Sequence, residues 1–267
     1  MIPKIIHYCW FGGNPMPDDV KKYIASWRKY CPDYEIKEWN ESNFNLNEND
    51  YCREAYEAKK WAFVTDYVRL KALYEYGGIY MDTDVEVIKP LDPLCTYDAV
   101  SGYESNSYIP TGTMASCPKN EWIGMLLQDY DNRHFIKSDG NFDFTTNVVT
   151  ITNLTIKKYG LVLNGQKQIF GENMILLPFE YLCAKDVSTG ELMITKNTYT
   201  IHHFAGSWVP NDQKNFSQLL IQYYQQYKKY PIPKSLVLII SKIRTTYELE
   251  GIGKVLLKAI NAMTKNT

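Results

Sequence analysis

The 267-residue sequence has no long hydrophobic run. The longest apolar run near its C-terminus, Leu236 to Ile240, is far shorter than the roughly 20 apolar residues of a membrane-spanning helix. No signal-peptide hydrophobic segment follows Met1, and there is no internal repeat and no low-complexity stretch. The net charge of only −1 argues against a generic nucleic-acid-binding protein. We therefore expect a cytoplasmic protein with no nucleic-acid partner.

Paired cysteines are also missing. The sequence has six cysteines, but no two are close together and no C-x-x-C occurs, which excludes the usual zinc and redox motifs. We expect them to be reduced core residues rather than a disulfide framework. Aromatic residues make up 14% of the chain, including 22 tyrosines, so disorder is not expected. A chain of this length is ordinary for one α/β domain.

The most informative stretch runs from Trp61 to Val87. Its first part has the spacing of a helix, and Gly77-Gly78 predicts the end of that helix, because glycine accepts the left-handed conformation there without a clash. The next three residues, Ile79 to Met81, predict a short buried strand. That strand leads into Asp82-Thr83-Asp84 and continues as Val85 to Ile88.

Asp82 and Asp84 need an explanation, because they follow an apolar strand directly. In extended chain, residues two apart point to the same side, so the two carboxylates can converge. Such close like charges repel unless a cation or a proton lies between them, and carboxylate oxygens suit magnesium or manganese. The repulsion also predicts that removing the Asp84 charge leaves the metal-free protein equally or more stable. The simpler alternative is a solvated acidic turn.

The resemblance to a known family rests on four blocks. They are TDYVRLKALYEYGGIYMDTDVEV at 65–87, IPKIIHYCWFGG at 2–13, AYEAKKWAF at 55–63 and IHHFAGSW at 201–208. Together they resemble glycosyltransferase family 32, which includes bacterial capsular polysaccharide enzymes and is related to the glucosylating core of large clostridial toxins. The resemblance implies an α/β fold of the GT-A-like, nucleotide-sugar-binding type, with a Rossmann-like mixed sheet flanked by helices. We expect this catalytic domain over 1–230.

The resemblance also implies roles for individual residues. The metal ligands would be Asp84 and His203, with Asp82 binding the metal through water or contacting the donor sugar and ribose. The donor-binding set would be Tyr8, Trp10, Asp66, Arg69, Tyr80, Gly112, Ser207 and Trp208. The catalytic set would be Asp82, Asp84, Asn147 and Asp143. In this scheme Trp10 stacks on uracil, Asp66 and Arg69 contact donor sugar hydroxyls, and Trp208 lies over the diphosphate.

Each of these residues also has a structural alternative. Trp10 could be an ordinary core aromatic. Asp66 and Arg69 are three apart on a helix and could form a plain surface ion pair. Asp143 could cap the helix predicted to begin within 142–152. His203 could be a buried, hydrogen-bonded histidine.

The activity implied by the resemblance is metal-dependent hexose transfer, with Mn²⁺ or Mg²⁺, from a UDP-sugar such as UDP-glucose or UDP-galactose. The acceptor would be a saccharide or a lipid-linked saccharide in surface polysaccharide synthesis, with retention at the anomeric carbon. Two rivals stay open. A phosphatase of the haloacid dehalogenase type would use Asp82 as nucleophile, and a sugar-nucleotide-binding module would have no catalytic activity.

The C-terminal end has a different charge from the rest of the chain. From Lys228 onward there are eight Lys or Arg and two Glu, a net of +6, which leaves −7 for the remainder. Residues 231–267 predict a basic amphipathic helical extension, broken at Gly251-Ile252-Gly253. Residues 234–267 could contact the inner face of the cell membrane peripherally, or could dock on the chain's own domain and expose a solvated basic face.

Overall fold

The computed structural model describes residues 1–105, 107–109, 112–206 and 209–264. Within it the chain forms two compact units. Met1–Ala184 and Met193–Ala205 form the first, which we call the sheet unit. Lys185–Leu192 and the chain from Gly206 onward form the second, which we call the helical unit. The catalytic domain predicted over 1–230 stays a prediction.

A seven-stranded mixed sheet organises the sheet unit, in the order β2-β1-β3-β6-β5-β8-β7, and β4 pairs with β9 in a separate ribbon. Strands β1, β2 and β3 are mutually parallel, and β8 is parallel to β5. Strand β6 is antiparallel to both of its neighbours, β3 and β5. The strands are β1 Ile5–Cys9, β2 Glu35–Trp39, β3 Gly78–Met81, β4 Val85–Val87, β5 Ala99–Gly102, β6 Thr113–Ser116, β7 Gln168–Phe170, β8 Met174–Leu177 and β9 Thr200–His202.

Helices cover both faces of this sheet. Successive strand residues alternate between two apolar clusters, as Ile79 and Tyr80 do, because side chains of a strand point to opposite faces. The helices are α1 Asp18–Tyr30, α2 Asp50–Glu57, α3 Trp61–Tyr76, α4 Glu121–Gln128, α5 Asn147–Tyr159 and α6 Phe179–Leu182 in the sheet unit, and α7 Asn211–Tyr227, α8 Lys234–Glu250 and α9 Ile252–Thr264 in the helical unit. The predicted α/β fold class, with a C-terminal helical extension, is confirmed.

The connection from α3 to β3 depends on glycine, as predicted. Gly77 ends α3 with φ +67°, and Gly78 begins β3 with φ +98°. A Cβ atom on Gly78 would lie only 2.6 Å from the carbonyl oxygen of Ile5 in β1, so no larger residue fits. This close approach brings the end of α3 directly against the central strands.

Several elements differ from the sequence prediction. Of the strand that the sequence predicts over 109–115, Thr113 to Ala115 belong to β6, and the helix predicted to begin within 142–152 starts only at Asn147. Before it, Asp143 accepts a hydrogen bond from the Thr145 amide at 3.1 Å, which holds the preceding chain in a turn. Helix α2, strands β7 and β8 and helix α6 were not predicted, since each is too short for a clear periodic pattern.

Strand directions determine where the functional residues meet. Because β1, β2 and β3 are parallel, their carboxyl ends lie at one edge of the sheet. Strand β5 runs in the same direction, since it is separated from β3 by the antiparallel β6. Trp10, Asn40, Asp82 and Glu104 therefore follow their strands at a shared edge, where ligands bind in open α/β sheets. Five of the six cysteines are buried, as expected for core residues, namely Cys9, Cys31, Cys52, Cys95 and Cys183.

Candidate metal and donor site

Asp82, Thr83 and Asp84 form a turn rather than the extended chain that the sequence predicts. The Val85 amide donates to the Asp82 carbonyl at 3.0 Å, which closes the turn. The Asp82 amide donates to the carbonyl of Gly112 at 2.8 Å, which ties the turn to the segment before β6. The two carboxylates nevertheless converge, because the turn carries both to the same side of the sheet edge.

Asp82 is held by α3 and β3. Its Oδ1 accepts a hydrogen bond from the Tyr80 hydroxyl at 3.1 Å and lies 3.2 Å from Nη2 of Arg69. The same Nη2 atom lies 3.4 Å from Oδ1 of Asp66, one helical turn earlier. The guanidinium also lies over the Tyr80 ring, 4.6 Å from its centre. Tyr80 is almost fully buried, so its hydroxyl orients Asp82.

Asp66 and Arg69 are both buried, which differs from the surface ion pair that the sequence left open. Burial raises the pKa of the Asp66 carboxyl to about 7, although the charge of Arg69 opposes this rise. The side chains of Asp66 and Arg69 are held in place because α3 has buried residues on all of its faces. The Arg69 guanidinium therefore lies between the carboxyl groups of Asp66 and Asp82.

Asp84 has a different cationic partner. Its Oδ1 lies 3.3 Å from Nε2 of His202, and its Oδ2 accepts a hydrogen bond from the Ala205 amide at 2.7 Å. Burial alone would raise the pKa of Asp84, but His202 and the amide outweigh it and lower that pKa to about 2. Burial alone would likewise lower the pKa of His202, yet the Asp84 carboxylate raises it well above the ordinary imidazole value.

The pairing of β4 with β9 decides which histidine reaches the aspartates. Val85 lies opposite His202 in this antiparallel ladder, and Glu86 lies opposite Ile201. Because neighbouring residues of a strand point to opposite faces, His202 shares the inner face with the fully buried Val85. His203 points the other way. Its Nε2 lies 2.9 Å from Oε2 of Glu86, and its ring stacks on Tyr23 at 4.5 Å.

The sequence analysis placed His203 with the metal ligands, but in the structure the imidazole beside Asp82 and Asp84 belongs to His202. One possible ligand atom from each of Asp82, Asp84 and His202 lies within 4.8 Å of the others. Two carboxylates and one imidazole fit a divalent cation, since carboxylate oxygen suits Mg²⁺ and Mn²⁺ and imidazole favours a transition metal. These three residues therefore form the candidate metal site among the described residues.

Gly112 lies against this site. A Cβ atom at position 112 would lie 3.0 Å from Nδ1 of His202, tighter than nearly all real contacts. The space beside Gly112, which the resemblance assigned to the donor, is thus occupied by the His202 side chain. Glu104 follows β5 at the same edge, and burial, together with the charges of Asp82 and Asp84, raises the pKa of its carboxyl.

Asp143 and Asn147 lie at the start of α5. Asp143 Oδ2 accepts a hydrogen bond from Arg133 Nη2 at 2.8 Å, and its Oδ1 accepts the Thr145 amide, so the Asp143 carboxylate stabilises this turn. Burial would raise the pKa of Asp143, but these hydrogen bonds lower it. Asn147 is buried at the first position of the helix. Catalytic roles for both stay predictions.

Tyr8 and Trp10 belong to β1 and the loop after it. Tyr8 is buried, and its hydroxyl donates to Oε2 of Glu38 at 2.6 Å. Trp10 is half-buried, and its indole nitrogen donates to the Asn14 carbonyl at 2.7 Å. A cavity of about 550 Å³ opens on the loop that follows Trp10. Its lining residues are Gly12, Gly13, Asn14, Glu41, Tyr56, Lys59 and Trp61. Ser207 and Trp208, predicted to bind the donor, lie outside the described residues.

Comparison with known families identifies this region. Residues 17–101, which include α3 and the Asp82–Asp84 turn, match the family model described as "Glycosyltransferase sugar-binding region containing DXD motif". This segment is thus similar to the DXD-containing sugar-binding region of glycosyltransferases. The family resemblance predicted from the sequence is thereby confirmed, and the DXD motif of the family corresponds to Asp82-Thr83-Asp84.

Curated relatives of the DXD region include two fungal proteins. The chain is 35% identical over 146 residues to inositol phosphoceramide mannosyltransferase 3 of Schizosaccharomyces pombe, covering 50% of this chain and 40% of the relative. It is 27% identical over 147 residues to a mannosyl phosphorylinositol ceramide synthase of Saccharomyces cerevisiae, covering 51% and 37%. The chain thus spans less than half the length of these relatives. A solved structure, "PaToxG Glycosyltransferase", superposes with a TM-score of 0.45 at 18% identity, covering 59% of this chain and 70% of that one.

Sequence reasoning missed two members of this DXD-containing site. His202 was passed over because the H-x-x-G spacing favours the second histidine of the pair. In β4 the side chains of Val85 and Glu86 point to opposite faces, and the residue paired with the inward Val85 is His202. This indication requires the β4–β9 register, which the sequence does not show. Glu104 was treated only as part of a loop, and its position follows from the direction of β5 rather than from any local motif.

Proposed function

We propose that this protein is a metal-dependent hexosyltransferase that uses a nucleotide sugar as donor. The observation that carries the proposal is the Asp82, Asp84 and His202 cluster, which lies at the carboxyl end of β3 inside the family region. His202 takes the place that the sequence analysis gave to His203. A divalent ion held there would neutralise the charge of the departing nucleoside diphosphate.

The chain's own residues would prepare this site. Tyr80 and Arg69 fix the orientation of Asp82, and the Ala205 amide fixes that of Asp84. Arg69 also adds positive charge behind the cluster, where it would favour an anionic diphosphate. Asp66, the predicted donor-sugar contact, lies one helical turn before Arg69 and forms an ion pair with it.

For the donor, we propose that the base lies at the Trp10 loop. The half-buried indole and the adjacent cavity of about 550 Å³ support a nucleobase there. The donor hexose is proposed as glucose or galactose from the family resemblance, and the names of the curated relatives add mannose. Manganese is favoured over magnesium, because one of the three ligands is an imidazole.

For the acceptor, we propose a saccharide or a glycolipid. The curated relatives are named for inositol phosphoceramide and related lipids, which supports a lipid-linked acceptor. Retention of anomeric configuration, a role in bacterial surface polysaccharide and peripheral attachment at the inner face of the membrane are further proposals from the sequence. The phosphatase alternative requires an available nucleophile, whereas Asp82 is engaged by Tyr80 and Arg69.

The test is a donor-hydrolysis and transfer assay with UDP-glucose, UDP-galactose and GDP-mannose, each with manganese, magnesium or a chelator. We expect manganese-dependent release of nucleoside diphosphate from one of these donors, abolished by Asp84→Asn. Asp131→Asn is the matched control, because Asp131 is an exposed carboxylate outside the site. Release of phosphate from simple phosphate esters, without turnover of any nucleotide sugar, would support the phosphatase instead.

A further inference from the structure

The helical unit has an unusual distribution of apolar residues. Helix α8 packs with α7, where Arg244 Nε lies 3.5 Å from the Tyr223 hydroxyl and Glu248 also bonds that hydroxyl. Its buried residues are Val237, Ser241, Thr245 and Thr246, of which three carry hydroxyl groups. An amphipathic helix of a soluble protein normally buries its larger apolar residues instead.

Six large apolar residues of α8 are exposed. Five of them recur at helical spacing within an arc of about 100° at 100° per residue, and the sixth, Leu249, lies outside that arc. Their exposed fractions run from 36% to 53%, and three residues of α9 are exposed to between 49% and 59%, of which Ile252 and Leu256 share one side of that helix. We call this set the apolar stripe, and it comprises Leu236, Ile239, Ile240, Ile243 and Tyr247 of α8 with Ile252 and Leu256 of α9.

Basic residues border the apolar stripe. On the helical wheel of α8, Arg244 lies on one side of the stripe and Lys242 on the other. In α9, Lys254 and Lys258 are exposed. Among the described residues, Lys242 and Lys254 have no acidic partner, while Lys258 is paired with Glu250 at 2.6 Å. By the same wheel Glu250 falls within the arc, where Lys258 pairs with it, and residues 234–264 contain five Lys or Arg and two Glu, a net charge of +3.

We propose that the apolar stripe docks on an anionic phospholipid surface, lying in the plane of the membrane interface. A wide apolar arc with basic borders is the arrangement of interfacial helices. The charge separates this occupant from a second copy of the chain, since two copies of a positively charged face repel each other, whereas an anionic surface attracts it. Of the helices in the part of the chain that the structure describes, none combines the length and the hydropathy that spanning a membrane requires.

This proposal extends the proposed function by delivering the enzyme to the surface where lipid-linked acceptors lie. It is tested without any activity measurement, so its failure and that of the proposed function are distinguishable. The protein is mixed with liposomes of phosphatidylcholine alone or with phosphatidylserine or phosphatidylglycerol, and flotation is measured at low and at high salt.

We expect binding to the anionic liposomes that weakens with salt. Ile239→Asp with Ile243→Asp should reduce binding at least about tenfold, since both side chains enter the interface. Lys242→Ser with Lys254→Ser should reduce it about fivefold per lysine. The matched apolar control is Val162→Asp with Ile169→Asp, which changes equally exposed residues of the sheet unit and should leave binding unchanged.

Circular dichroism and thermal melting establish that each variant is folded before binding is compared. If the wild-type protein fails to float with anionic liposomes at low salt, the proposal is wrong. It is also wrong if the stripe variants float like wild type. Dimerisation in analytical ultracentrifugation that Ile239→Asp with Ile243→Asp abolishes, without liposome binding, would assign the stripe to a second copy of the chain.

Discussion

Replacing Asp84 by asparagine tests the electrostatics of the site before any chemistry is considered. The sequence alone predicts that the metal-free variant is as stable as wild type or more so, because it removes one of two repelling carboxylates. The structure predicts the opposite sign, because each carboxylate has its own cation. Asp82 lies 3.2 Å from Arg69, and Asp84 lies 3.3 Å from His202.

The magnitude follows from the pKa of Asp84. In the folded protein that pKa is lowered from 3.8 to about 2. A lowered carboxyl pKa contributes stability above the unfolded value and loses it as the pH falls through the folded value. The contribution at pH 7 is on the order of 2 kcal/mol. For a chain of this size, that corresponds to a fall in melting temperature of roughly 4–8 °C.

The assay is urea or thermal unfolding in a chelator at pH 7 and again at pH 3, with Asp131→Asn as the control. We expect Asp84→Asn to be less stable than wild type at pH 7. The difference should shrink at pH 3, because Asp84 of the unfolded wild-type chain is then largely protonated while the folded carboxyl stays mostly charged. An Asp84→Asn protein that is equally or more stable than wild type at pH 7 would show that the repulsion from Asp82 dominates, and the reasoning would fail.

Three further predictions follow from the same geometry. His202→Ala should abolish the manganese-dependent rise in melting temperature measured with UDP, whereas His203→Ala should retain most of it; the reverse pattern would return the metal role to His203. Trp10→Ala should weaken UDP binding by about 1–3 kcal/mol, and calorimetry showing unchanged affinity would make Trp10 a structural residue. Because the folded pKa of Asp66 is raised to about 7, its charging destabilises the fold as the pH rises from about 4 to 7. Asp66→Asn should therefore flatten the pH dependence of unfolding over that range, and an unchanged slope would contradict the raised pKa.

Much of the fold was predictable because it is encoded locally. The periodicity of α3, the two glycines after it and the apolar β3 all lie within one stretch, and the structure agrees with each. The blocks that carry the family resemblance also coincide with β1, α3, the Asp82–Asp84 turn and β9. The α/β class and the position of the acidic pair could therefore be read from the sequence.

What could not be predicted depends on register and on long-range packing. His202 and His203 are adjacent in the sequence, and only the register of β9 against β4 determines which of them faces the two aspartates. The pairing of Asp143 with Arg133 likewise depends on how the loop before α5 folds back. Burial of Asp66 and Arg69 could not be separated from a surface ion pair, because the helical spacing is the same in both cases.

The β4–β9 ribbon has a consequence for the order in which the candidate metal site is assembled. The hydrogen bond from the Ala205 amide to Asp84 joins residues 121 positions apart. During synthesis on the ribosome, the complete DXD segment would emerge long before His202, so the metal site could close only after nearly the whole sheet unit had been made. Contacts between such distant segments form late and slowly. A fragment that ends before β9 would contain the whole family region but would bind an ion at the candidate site only weakly. Tight ion binding would therefore show that folding is complete.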